Sequence, residues 1–230
     1  MTLLAGPLLA ADSGKDDIAG AVKNLAAKAN YSWKTTVEAT GGRFRPGPTE
    51  GKADKDGTIL LSMTRGDNTI EAVVKGTKGA VKTGDEGWKS LAEASEDDGG
   101  GQQTPIRFVA RMLQNFKAPA VEAEDLAGKA KELRKSDGAY TADLTEEGVK
   151  QIFARGPRRP GGEAPSPRDA KGSVKFWVKD GLLSKYEYNV QGTIEFNGND
   201  VNVNRTTTVE IKEVGTTKVS VPEEAKKKLS

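Results

Sequence analysis

The sequence predicts an α+β protein built around an antiparallel sheet, and three observations carry the prediction. In the first, the apolar and aromatic residues of "LLSKYEYNVQGTIEF" fall on even positions from Leu182: Tyr186, Tyr188, Val190, Ile194 and Phe196. After "NGND" the alternation restarts on odd positions at Val201, Val203, Val209 and Ile211. A period of two over runs this long marks strands with one apolar face. The second observation is the turn chemistry. Asp180-Gly181 and Asn197-Gly198 are two-residue turn signals, which join neighbouring strands antiparallel. Strands are therefore expected over 173–179, 182–196 and 200–213. The third is the order of elements, which shows no βαβ alternation and so argues against a parallel sheet.

The other elements follow in chain order. "DDIAGAVKNLAAKAN" (16–30) reads as a helix, with Ile18, Val22, Leu25, Ala26 and Ala29 on one stripe. "YSWKTTVEAT" alternates like a strand, and "GGRFRPGP" (41–48) is an irregular loop. The segment 57–91 reads as short strands separated by "RGDN", "KGTKG" and "TGDEG". "EASEDDGGGQQ" (93–103) reads as an acidic, Gly-rich loop.

"TPIRFVARMLQNF" (104–116) is a second helix, with Thr104 as its cap and Pro105 at its first position. Residues 130–144 read as a hairpin around Asp137-Gly138, and 145–154 as a short helix capped by Thr145. "RGPRRPGGEAPSPRDAKG" (155–172) is rich in Pro and Gly and is expected to be a flexible loop over 155–170. The end, "KVSVPEEAKKKLS", reads as a short strand, a proline stop and a frayed basic tail.

Composition narrows the chemistry. The 230 residues suffice for a sizeable core. With 35 basic and 33 acidic residues the net charge is +2, which by itself indicates no nucleic-acid partner. There is no histidine and no cysteine. The usual general base, thiol nucleophiles, thiolate metal sites and disulfides are thereby removed. Lys82-Thr83-Gly84 matches part of a penicillin-binding signature, but no Ser-x-x-Lys accompanies it. Nothing selects a pair of carboxylates for hydrolysis among the acids. No enzyme, cofactor or metal is expected. "MTLLAGPLLAA" looks like the end of a secretory signal, so residues 1–11 are read as a signal-peptide remnant or a disordered N-terminus, and residues 12–230 as one domain. No other apolar run is long enough for a transmembrane segment.

With that order in hand, the chain resembles the LolA/LolB superfamily of periplasmic lipoprotein carriers, which includes the LppX and LprG type. The resemblance covers most of residues 16–228. It rests on the first helix feeding "YSWKTTVEA", on "TPIRFVARML", on "GSVKFWVKDGLLSKYEYNV" and on "VSVPEEAKKKL". It implies a curved, unclosed antiparallel sheet, a half-barrel, with helices packed on the concave side and an apolar cavity for acyl chains. It further implies an exported, periplasmic or secreted, non-enzymatic carrier of a lipid or acyl-chain ligand, with other envelope proteins as partners. The sequence lacks the lipobox cysteine of the tethered members, so a free carrier is expected.

The candidate cavity residues are Trp33, Phe108, Met112, Phe116, Tyr186, Tyr188, Ile194 and Phe196. As apolar side chains on one strand face and one helix stripe they fit two roles, the wall of a ligand cavity or a dry core under a helix. The rival function is an envelope interaction module with a filled core, and a carboxylate-dependent hydrolase is the third reading.

Overall fold

The structure, a computed structural model, describes residues 10–40, 47–65, 68–84, 86–96, 104–154, 166–196 and 198–229. The chain opens with helix α1 (Ala10–Ala26) and runs through strands β1 (Asn30–Thr40), β2 (Thr49–Asp54), β3 (Thr58–Arg65), β4 (Asn68–Lys75), β5 (Lys78–Thr83) and β6 (Lys89–Ser90). Helices α2 (Leu91–Glu96), α3 (Pro105–Gln114) and α4 (Pro119–Lys129) follow. Strands β7 (Arg134–Ser136) and β8 (Ala139–Asp143) precede helix α5 (Glu146–Ala154). The chain ends with β9 (Arg168–Lys179), β10 (Leu182–Phe196), β11 (Asn199–Lys212) and helix α6 (Glu223–Lys228).

Among the described residues these strands form one 11-stranded sheet in the order β6-β5-β4-β3-β2-β1-β11-β10-β9-β8-β7. All the pairings are antiparallel. The first six strands walk from β1 to one edge. The last five walk from the other edge back to the centre, where β11 pairs with β1. The edges β6 and β7 remain apart, so the sheet is a curved, unclosed half-barrel. β-Bulges between β10 and β9 contribute bends.

One face of the sheet carries the main core. Tyr31 and Trp33 of β1, Leu61 of β3, Ala72 of β4, Val81 of β5, Phe176 of β9 and Tyr186 of β10 all point into it. Helices α1 to α5 close over that face with Ile18, Leu25, Ala94, Leu113, Leu126 and Val149. Asn24 Nδ2 donates to the Gly181 carbonyl at 3.0 Å, and the Tyr140 hydroxyl donates to Asp17 at 2.7 Å, which fixes α1 across the sheet. On the reverse face Val73, Ala80 and Trp88 pack with Ala225 of α6.

The three long C-terminal strands form as expected, and β9 begins earlier, at Arg168. Residues 168–170 thus belong to the sheet, while 155–165 of the expected loop lie outside the described residues. Of the acidic loop expected over 93–103, residues 97–103 lie outside them too, as do residues 1–9 of the segment 1–11, whose last two residues begin α1.

Other expectations are corrected. The first helix stops at Ala26, because Ala29 and Asn30 already accept hydrogen bonds from Lys55 and Gly215 in the sheet region. Ala26 and Ala29 are exposed and Ala21 takes the buried position. Leu91–Glu96 is helical. Ser90 and Glu93 form a reciprocal capping box, with Ser90 N–H donating to Glu93 at 2.6 Å and Glu93 N–H to Ser90 Oγ at 3.2 Å. The C-terminus is a helix with Ala225 fully buried, and residues 218–222, expected to include a short strand, are irregular. A bulge between Leu183 and Lys185 reverses the alternation there, so Leu183 is buried and Leu182 half-buried.

Trp33 shows how tightly the sheet and helices fit. Gly51 lies directly opposite it on β2. The indole covers that glycine and is stacked against Phe116, with ring centroids 6.3 Å apart and planes 20° apart. A Cβ on Gly51 would meet Trp33 Cζ2 at 2.1 Å. Gly51→Ala should therefore lose about 1–3 kcal/mol through overpacking. Urea denaturation measures this, and an unchanged midpoint would show that the indole has room to move.

Candidate ligand-binding face

The concave face divides into a sealed half and a half-open one, and the N-terminus of α4 makes the sealed half. Glu122 stands in the first turn of α4. Its carboxylate accepts the Tyr186 hydroxyl at 2.5 Å and the Tyr188 hydroxyl at 3.3 Å. The Thr207 hydroxyl in turn bonds the Tyr188 oxygen. The N-cap residue Ala118 provides no side-chain bond. The Tyr31 oxygen instead accepts the backbone N–H of Ala120 and satisfies one of the helix's free donors. The partial positive charge at the helix N-terminus favours the Glu122 carboxylate.

The electrostatic consequence falls on the phenols. Burial, and then the charge of Glu122, pushes Tyr186 and Tyr188 well above the ordinary tyrosine range. Burial raises Tyr31, while the hydrogen bond to Asp17 is the main cause for Tyr140.

The candidate residues separate along this division. Trp33, Tyr186 and Tyr188 are buried, with 3%, 0% and 8% of their surface exposed. Phe116 and Phe108 are half-buried against the same core. Met112 is exposed at 41%, on the side of α3 turned away from Leu113. Ile194 is half-buried further along β10. The side chain of Phe196 lies outside the described structure. Sequence reading did not single out Glu122 or α4. Pro119 at the first helical position and an acid in the first turn were the available signals.

The half-open part is a strip across the ends of three strands. Register places Val37 opposite Thr207, and Ala39 opposite Arg205. On the other side Val190 faces Arg205, Gly192 faces Val203, and Ile194 faces Val201. Coverage thins along β10. Val149 of α5 approaches Gly172, which pairs with Val190, and Pro167 approaches Gly192. Beyond these, Val37, Ala39, Ile194, Val201 and Val203 are only half-buried. Two depressions lie away from this strip. A groove of about 410 Å³ runs between α1 and α4, beside Val22 and Val121, and a polar one of about 250 Å³ lies by the Asp180-Gly181 turn. Among the described residues no cluster of acids fit for a metal ion is found, and no helix is long and apolar enough to cross a membrane.

Solved structures align with most of the chain at low identity. LprF from Mycobacterium bovis aligns with 94% of this chain and 99% of its own, at 9% identity and a TM-score of 0.48. The lipoprotein LppX from Mycobacterium tuberculosis aligns over 92% and 99%, at 14% identity and a TM-score of 0.45. A LolA superfamily protein from Nitrosomonas europaea aligns over 92% and 96%, at 10% identity and a TM-score of 0.32. No family model matches the sequence, and no curated protein does.

The raised phenols give a direct test of the sealed half. All 4 tyrosines are shifted upward. A folded-state pKa above the unfolded value contributes stability that is complete below about pH 10 and lost as pH rises beyond it. Ultraviolet titration of the native protein should show almost no tyrosinate at about pH 10, where a free phenol is half ionised. Ionisation should then coincide with alkaline unfolding. Ordinary titration of two or more phenols in folded protein would contradict the sealed arrangement.

Proposed function

We propose that the protein is a non-enzymatic binding protein for a lipid-like or acyl-chain ligand, received on the half-open strip of the concave face. The observation that carries this reading is the continuation of the apolar face beyond the helices that seal it. β10 has 15 residues, so it extends roughly 50 Å at ~3.4 Å per residue. Helix α4, with 11 residues, is only about 17 Å long. The core fills the sheet around Tyr186 and Tyr188 and leaves Val37, Ala39, Val201 and Ile194 partly bare. Water on that strip is displaced by hydrocarbon at a gain. Removing ~400 Å² of ligand surface contributes roughly 10 kcal/mol at ~25 cal/mol/Å², before the loss of ligand freedom.

The location that accompanies the sequence resemblance is the cell envelope, periplasmic or secreted, with envelope proteins as donor or acceptor. The rival module with a filled core is favoured by the burial of Trp33, Tyr186 and Tyr188. It differs in one measurable respect, since it takes up no lipid.

The test uses the full chain and cis-parinaric acid, its methyl ester and Nile red as fluorescent probes. At least one should bind to the wild-type protein. Val201→Asp should weaken uptake by about tenfold or more while leaving the denaturation midpoint nearly unchanged, because a charge at a half-exposed position remains hydrated. A wild-type protein that takes up none of the probes, and carries no lipid extractable after purification, would end the carrier reading.

A further inference from the structure

Arg205 stands on the same strip and has no counterpart in the rest of it. Its neighbours directly opposite are Ala39 and Val190, and Val203 and Thr207 precede and follow it on the same face of β11. The Arg205 Nε is closed to solvent and has no hydrogen-bond partner. Among the described residues no ion pair or side-chain hydrogen bond includes the guanidinium. The group cannot shed its proton to relieve this. Arg205 as a whole is half-buried, so the cost falls on the Nε donor, which is closed to water and unpaired. A fixed positive charge amid apolar side chains is suited to a partner that arrives with the ligand.

The register supports this, because Arg205 lies two residues from Thr207, the partner of Tyr188, on the same face of β11. The charge of Arg205 reaches the phenol of Tyr188, on the inner face, and favours its ionised form. The guanidinium is therefore felt at the border between the sealed half and the open strip. From Arg205 the strip continues over Val203 to Val201, a run of about 14 Å at ~3.4 Å per residue. An acid group held at Arg205 leaves that length of apolar strand for the chain attached to it. Guanidinium offers parallel N–H donors to a carboxylate, which adds geometry to charge.

We propose that Arg205 receives the acid group of an anionic amphiphile, a long-chain carboxylate, whose hydrocarbon lies along Val203, Val201 and Ile194. This rests on the lipid-binding reading above and adds to it the headgroup and its orientation, acid toward the core and chain toward the β10–β11 turn.

The experiment compares cis-parinaric acid with its methyl ester, two probes with one chain and different heads. The wild-type protein should bind the acid about tenfold or more tightly than the ester, the ratio expected for a hydrogen bond to a charged group. Arg205→Gln should bring the two affinities within about twofold by weakening the acid alone, and Arg205→Lys should retain an intermediate preference. Acetate and inorganic phosphate should not displace the acid, since neither carries a chain. Equal binding of acid and ester by the wild-type protein would overturn the proposal while leaving the lipid-binding reading standing. Binding of neither would remove both. The comparison of probes on the wild-type protein needs no variant, so it decides even if Arg205→Gln fails to fold. An Arg205→Gln protein that is less stable but keeps the preference for the acid would assign Arg205 the role of counter-charge to Glu122, and would likewise overturn the proposal.

Discussion

A carboxylate held beneath a helix end is the interaction on which the rest of this structure depends. Glu122 is half-buried and gives up part of its hydration to reach Tyr186 and Tyr188, which costs free energy unless hydrogen bonds replace the lost water. Two phenol donors and the N-terminal dipole of α4 offset that cost. Tyr31 completes the junction by accepting Ala120 N–H, so one helix turn is tied to both β1 and β10. Because β1 and β10 flank β11 at the middle of the sheet, the tie fixes α4 where the two halves of the sheet join. Trp33, laid over Gly51 and against Phe116, extends the same closure toward β2.

That closure also decides where the face stays open. Helices anchored at the Tyr186 level cannot cover a strand that runs on to Phe196. The apolar alternation nevertheless continues to Ile194 and, on β11, to Val201. The one charged group on this strip among the described residues is Arg205, whose Nε has no hydrogen-bond partner. The same physical constraint thus produces a filled core at one end and a half-open apolar strip at the other.

Much of this was legible in the sequence, and the exceptions have physical causes. The period-two runs and Gly-containing turns specified β9, β10 and β11, because register is enforced when one face is buried. Leu182 was misplaced because a bulge at Ser184 shifts the phase, and bulges leave little trace in an alternation. Helix α4 escaped notice because its buried side is made mostly of alanines, Ala120, Ala123 and Ala127, which give a weak hydrophobic period. Helix α2 announced itself through the Ser90–Glu93 capping box, but acids on both sides read as loop. Trp33, Tyr186 and Tyr188 face the core, as their alternation suggests. Which of the candidate residues is sealed and which is open depends on where α4 docks, and that depends on the long-range pairing of Glu122 with Tyr186, 64 residues away.

The most direct test of the divided face is methyl-resolved NMR during titration with a long-chain fatty acid. Methyl signals of Val37, Ile194, Val201 and Val203 should shift first and furthest, while those of Val174, Leu183 and Val209, buried in the sealed half, should stay nearly fixed. Shifts centred on Val174, Leu183 and Val209 would mean that the ligand enters the core beneath α4, and would contradict the account.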